Sequence, residues 1–202
     1  MNGNIIFEYS NNLSIHDNTA ISNSTVVSNR HQGKEVIGSL GDVGGTKVYN
    51  NTIIGGPQFG IRVGETSGSG GYEIYNNDIS QNTKVVNGYS ISASGNGSLI
   101  HNNIIHPING RGIHIPGTDS VQVYNNTITV KEGPNPELTI GFSHGIKMEN
   151  ATNAKIYNNN VTALAGVDGS GHAYALDISQ YSRLPGNNEI YNNTFLKFKT
   201  IK

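Results

Sequence analysis

One pattern of apolar and polar positions returns along the whole chain. An apolar residue is followed by an aromatic or histidine, two asparagines, a variable residue and a second apolar one. It stands as Val48-Tyr49-Asn50-Asn51-Thr52-Ile53, Ile74-Tyr75-Asn76-Asn77-Asp78-Ile79 and Val123-Tyr124-Asn125-Asn126-Thr127-Ile128. Ile156-Tyr157-Asn158-Asn159-Asn160-Val161 and Ile190-Tyr191-Asn192-Asn193-Thr194-Phe195 follow it closely. Ile100-His101-Asn102-Asn103-Ile104-Ile105 is looser, and Ile15-His16-Asp17-Asn18-Thr19-Ala20 is a degenerate first copy. That is seven copies in 202 residues, stepping by 33, 26, 26, 23, 33 and 34. A recurrence at such periods marks a solenoid or array of stacked units. Uneven steps around an unvarying phrase mean a fixed strand–turn–strand joined by loops of variable length.

Within the phrase, the Ile or Val before the aromatic points inward by the period-two rule for strands. The paired Asn forms a bend, and the next residues begin a new strand. Stacking would align Asn18, Asn51, Asn77, Asn103, Asn126, Asn159 and Asn193, each amide donating to the next coil, so these asparagines are structural. A second phrase, Gly-apolar-variable-apolar, precedes the first: Gly60-Ile61-Arg62-Val63, Gly88-Tyr89-Ser90-Ile91, Gly112-Ile113-His114-Ile115 and Gly145-Ile146-Lys147-Met148. Ala175-Leu176-Asp177-Ile178 and Asn4-Ile5-Ile6-Phe7 are variants, and the second unit's counterpart lies between Gly33 and Leu40 without a readable register. Three strands per turn, stacked in parallel, make a β-helix. The expectation is an all-β solenoid of about seven coils spanning residues 1–202 as one domain, with strands of three to five residues and almost no helix.

Composition agrees with this picture. Hydrophobic residues make up 35% and charged residues 13%, with 26 glycines, a balance that suits short strands and many turns. Net charge is −1, which gives no electrostatic case for nucleic acid or an anionic membrane. No apolar run approaches the ~18 residues that span a bilayer. The lack of cysteine excludes disulfides and thiolate metal sites. No cofactor is expected: calcium stays open, but no clear ligand cluster is legible.

The repeated Ile-x-Asn-Asn-x-Ile bend after a Gly-Ile-x-Ile strand resembles the right-handed parallel β-helix superfamily, the pectate-lyase-like fold, over essentially the whole chain. That resemblance implies a right-handed solenoid and an extended carbohydrate lying along the stacked strands. It is the resemblance that brings pectate and alginate lyases, polygalacturonases, mannuronan epimerases, phage tailspikes and surface proteins into view. The chain departs from the single enzyme families. It has no Arg-His-Gly of one alginate-lyase group, no Asp-Pro-His of the epimerases and no calcium-binding Asp cluster of the pectate-lyase type. Gly60-Ile61-Arg62-Val63-Gly64 is only loosely similar to an alginate-lyase segment. Fold by itself does not carry function.

Candidate chemistry comes from the outward positions of the Gly-apolar-x-apolar strand. The middle row reads Arg62, Ser90, His114, Lys147, Asp177. Beside it a row of Gly60, Gly88, Gly112, Gly145 and Ala175 suggests a smooth trough, and the far row reads Gly64, Ser92, Pro116, Glu149, Ser179. At about 4.8 Å per rung, His114, Lys147 and Asp177 span roughly 10 Å. Four ionisable residues on five rungs point to a groove for an extended ligand. Arg62, His114, Lys147 and Asp177 are the candidate catalytic residues. Glu149, His144, His172, Tyr174, Gly112 and Gly145 are candidate substrate contacts. Insertions from Thr129 to Ser143 and from Thr162 to His172 would wall the groove, since long loops on rigid scaffolds often carry function. The bland alternative is plain surface charge, with Lys147 and Asp177 an ion pair worth ~0–1 kcal/mol.

Two chemistries suit the row. β-Elimination or epimerisation of a uronate needs a cation for the carboxylate, met by Arg62 or Lys147, and a group that moves the C5 proton, met by His114, Lys147 or a tyrosine. Inverting hydrolysis would use Asp177 and Glu149, roughly 8 Å apart by strand geometry. Elimination ranks first, and a non-catalytic carbohydrate-binding or architectural module is the remaining reading. A polysaccharide partner implies a place outside the cell or at its surface, and with no signal-peptide pattern after Met1 the expectation is part of a longer secreted chain. The missing cysteines do not settle the compartment. Apolar Phe195, Leu196, Phe198 and Ile201 near the end imply flanking domains or end-to-end self-association, because solenoids need polar caps.

Overall fold

A computed structural model describes residues 4–22, 35–40, 44–56, 58–64, 70–80, 88–107, 111–131, 142–165, 172–179 and 186–199. The described residues form three parallel sheets of seven strands each, and no helix. The first sheet stacks Ile5–Glu8, Glu35–Leu40, Phe59–Val63, Tyr89–Ala93, Arg111–Pro116, Phe142–Glu149 and His172–Ser179. The second stacks Ser14–His16, Lys47–Tyr49, Glu73–Tyr75, Leu99–His101, Gln122–Tyr124, Lys155–Tyr157 and Glu189–Tyr191. The third stacks Thr19–Ser22, Thr52–Gly55, Asp78–Ser80, Ile104–Ile105, Thr127–Lys131, Asn160–Ala165 and Thr194–Lys199. Every third strand pairs with the next in its sheet, which is a solenoid with one strand of each sheet per coil. Strand lengths run from two to eight residues, a wider range than the sequence phrases suggest.

The Asn-Asn bend joins the second sheet to the third. Its first residue takes the left-handed backbone in every copy, with φ from 54° to 57° at Asp17, Asn50, Asn76, Asn102, Asn125, Asn158 and Asn192. Asparagine and aspartate tolerate that conformation better than other residues with a β-carbon. The second Asn turns inward. Asn126 donates Nδ2 to the carbonyls of Ile100 and Tyr124 and to Oδ1 of Asn159. Its own Oδ1 accepts from the backbone N–H and Nδ2 of Asn103. The amide-to-amide link repeats unbroken from Asn18 to Asn193.

Inside, like stacks on like. Ile37, Ile61, Ile91, Ile113 and Ile146 form one fully buried row, and Val48, Ile74, Ile100, Val123 and Ile156 form a second. β-Branched side chains suit this pleated, buried setting. Outside the second sheet, His16, Tyr49, Tyr75, His101, Tyr124, Tyr157 and Tyr191 stack face to face, with centroids 4.7 to 5.1 Å apart. His101 therefore fills a tyrosine place in a structural column.

Candidate functional site

The outer face of the first sheet carries the candidate residues. Backbone pairing links Gly38 to Arg62, Arg62 to Ser92, Ser92 to His114, His114 to Lys147 and Lys147 to Asp177. The row is thus Gly38, Arg62, Ser92, His114, Lys147, Asp177. This corrects the sequence alignment of the fourth unit, which sets Ser90 in this row and Ser92 in the next. Tyr89 pairs with Phe59 and Ile91 with Ile61, so the Gly88 phrase sits two residues out of step with the others.

The glycine row is a second correction. A β-carbon on Gly112 would lie 2.9 Å from Ile128 Cγ2, and one on Gly145 would lie 2.2 Å from Val161 Cγ1. Ile128 and Val161 are core residues, so this row points inward. Val36, in the corresponding place two residues before Gly38, is itself in the core. Gly112 and Gly145 therefore do not line an outer trough. They are small because the neighbouring coil's backbone passes close by: the carbonyl of Gly145 lies 2.2 Å from the β-carbon position of Gly112.

Two successive inward residues turn the one before them outward. The row beside the ionisable one is consequently Glu35, Phe59, Tyr89 and Arg111, with His144 and Tyr174 further along. Phe59 and Tyr89 are buried yet stand apart from the core cluster. The sequence contained a signal for this row, a large residue immediately ahead of a small one in Phe59-Gly60, Arg111-Gly112, His144-Gly145 and Tyr174-Ala175. Sequence reasoning picked out His144 and Tyr174 but missed Glu35, Phe59, Tyr89 and Arg111.

The two rows interlock. Arg62 Nη1 reaches Glu35 Oε1 at 3.0 Å, with its guanidinium over the Phe59 ring. Arg111 Nη1 donates to the Tyr89 hydroxyl at 3.0 Å, and Tyr89 stacks on His114 at 4.4 Å. His114 Nε2 and Lys147 Nζ both reach Glu149 Oε2, at 3.2 and 3.0 Å. His144 Nε2 lies 3.4 Å from Asp177 Oδ2, and Ser179 donates to Asp177 Oδ1. Lys147 and Asp177, which the sequence offered as an ion pair, each hold a different partner. Of His172 only the backbone pairing with Phe142 is described. The greater part of both insertions lies outside the described residues, as does Ile201. Among the described residues no group of three or more His, Asp or Glu is arranged to hold a metal ion.

Burial sets the protonation states. It drives His114 down to about 4, with Glu149 opposing and Lys147 and Arg111 adding to the fall. His144 is also driven to about 4 by burial first and then by the Arg111 charge. At neutral pH the His114 contact is therefore an N–H donated to a carboxylate. Burial pushes the Glu149 carboxyl up, but the hydrogen bond and charge of Lys147, with His114, outweigh it and hold the group below its ordinary value. Burial raises the Tyr89 hydroxyl.

A pH dependence of stability follows. Both histidines take up protons near 6.5 when unfolded but only near 4 when folded. Between those values the unfolded state binds more protons, so stability falls on acidification by up to about 1.4 kcal/mol per pH unit for each histidine. The melting temperature drops from pH 7 to pH 4.5, and His114→Gln flattens that slope. An unchanged slope in the variant would remove His114 as its source.

A comparison with family models matches residues 39–199 to the right handed beta helix region. Comparisons with curated proteins and with solved structures find no match.

Proposed function

We propose, for a chain that belongs to the right-handed β-helix family, that the outer face of the first sheet binds an extended glycan and acts on its uronate residues. The observation that carries this reading is the row Arg62, Ser92, His114, Lys147, Asp177 on consecutive parallel rungs. A polymer laid along the solenoid axis meets one outward side chain about every 4.8 Å. Tyr174, half exposed beside His144, supplies a ring edge at the open end. On this reading the protein works outside the cell or at its surface, where such polymers occur.

For elimination, Lys147 sits against the sugar carboxylate and stabilises the charge that develops when the C5 proton leaves. His114, neutral above pH 4 with its proton on Nε2, accepts that proton at Nδ1. The C4–oxygen bond then breaks as the C4–C5 double bond forms, and a tyrosine hydroxyl or water returns a proton to the leaving oxygen. Re-protonation at C5 without bond cleavage would be epimerisation. Inverting hydrolysis by Glu149 and Asp177 is less well supported, since a general acid needs a raised carboxyl and Glu149 is shifted the other way.

The test is incubation with a panel of uronate polymers, reading ultraviolet-absorbing product, reducing ends and the proton NMR spectrum of the polymer. Unsaturated product is expected, and Lys147→Ala or His114→Gln should each lower its rate about a hundredfold or more. Polymer bound but unchanged would make the protein a carbohydrate-binding module. Neither binding nor turnover would leave the architectural reading.

A further inference from the structure

We infer that the Glu149 carboxylate holds the place of a ligand's carboxylate on Lys147 and His114, and so limits how tightly this face takes acidic sugars. The inference rests on the glycan reading above and assigns Glu149 the role of a competitor for the site.

The geometry begins with one oxygen. Glu149 Oε2 receives both Lys147 Nζ and His114 Nε2, at 3.0 and 3.2 Å. Two donors from adjacent strands converging on a single carboxylate oxygen form a ready-made clamp for an anionic group. The clamp is more enclosed than its occupant: the Lys147 and His114 side chains are 14% and 15% exposed, against 30% for Glu149. Glu149 also ends its strand, and Asn150 after it takes the left-handed backbone of a turn. The carboxylate can swing into water and be solvated there. Lys147, at 14% exposure, has the more enclosed side chain of the two.

The other two carboxylates on the described strands from Glu35–Leu40 to His172–Ser179 do not share that combination. Glu35 is paired with Arg62 but is only 2% exposed, so its departure would strand a buried charge. Asp177 is partly exposed, but its contacts are His144 and Ser179, both neutral at pH 7. Glu149 alone among the three both occupies a cation and borders solvent. The count of charges points the same way. Along the described residues of the six strands from Glu35–Leu40 to His172–Ser179, Arg62, Arg111 and Lys147 balance Glu35, Glu149 and Asp177, so these strands offer a polyanion no net attraction. Moving Glu149 aside leaves one cation in excess where the carboxylate would land.

The experiment measures binding of an oligogalacturonate and of its fully methyl-esterified form by titration calorimetry, for the wild type, Glu149→Gln and the double variant Glu149→Gln/Lys147→Gln. Glutamine keeps the shape at a partly exposed position, and equal melting temperatures check the fold. Glu149→Gln should bind the acidic oligomer about tenfold more tightly, the scale of one freed charge contact. The ester should bind both proteins alike, and the double variant should lose the gain. An acidic oligomer bound no more tightly by Glu149→Gln, or a gain shared equally by the ester, overturns the inference while the glycan reading stands. No binding of either oligomer by any of the proteins overturns both.

Discussion

Asn126→Ala should lower the unfolding free energy by about 4 kcal/mol or more. The substitution removes a side chain that is 1% exposed and satisfies five polar atoms at once. Without it the carbonyls of Ile100 and Tyr124 lose a donor. The backbone N–H and Nδ2 of Asn103 lose an acceptor, and Asn159 Oδ1 loses a donor. Each buried group left unpaired costs about 1–3 kcal/mol, although Asn103 Nδ2, Asn159 Oδ1 and the Tyr124 carbonyl each keep another partner. Urea unfolding followed by circular dichroism measures the loss. Asn18→Ala, in the part-buried first rung, is the internal comparison and should cost about half as much. A cost below about 1 kcal/mol at Asn126 would mean that water or a shifted turn replaces the amide, and that the stack adds little to stability.

The second large effect is Ile156→Ala, with Ile190→Ala beside it as its control. Both residues stand at the same place in the repeat and pair with each other across coils. Ile156 is fully buried, whereas Ile190 is 39% exposed. Truncating the first leaves a cavity between coils as well as losing the transfer free energy, about 4 kcal/mol in all. Truncating the second opens no enclosed cavity and should cost about 1–2 kcal/mol. Equal costs would show that Ile190 is covered in solution, by flanking chain or by a second copy. The same experiment therefore probes the exposed apolar side chains of Phe195, Leu196 and Phe198.

The fold was legible because the repeat states its geometry redundantly. Val48, Ile74, Val123 and Ile156 each precede an aromatic and an Asn pair, and every copy needs the same inward side chain, left-handed turn and inward amide. A single weak copy, such as His16-Asp17-Asn18, is held in register by its neighbours: Asn18 donates to Asn51 as any other rung does. The unit around Gly88 shows the limit of such reading. Its phrase matches the others by letter, but Tyr89-Ser90-Ile91 pairs two residues away from the obvious alignment, because loop length around it is free and only inter-coil pairing sets the register.

What the sequence determined by itself was the solenoid, its inward rows, the asparagine stack, and the neighbourhood of His114, Lys147 and Asp177. Period-two alternation and a repeated turn are local properties, so they can be read from the chain. What only the tertiary structure decided was which side chains face outward next to that row and what each charge touches. The Gly60, Gly112 and Gly145 positions break the alternation by turning inward against Ile79, Ile128 and Val161, residues of another sheet that no local pattern ties to them. That break replaces a smooth glycine trough with Phe59, Tyr89, Arg111 and His144. It buries His114 and His144 enough to keep them neutral, while Lys147 reaches Glu149 on its own strand. The partners of Arg111 and His114 stand in coils 22 and 35 residues away in the chain, and those distances exist only once the solenoid has closed.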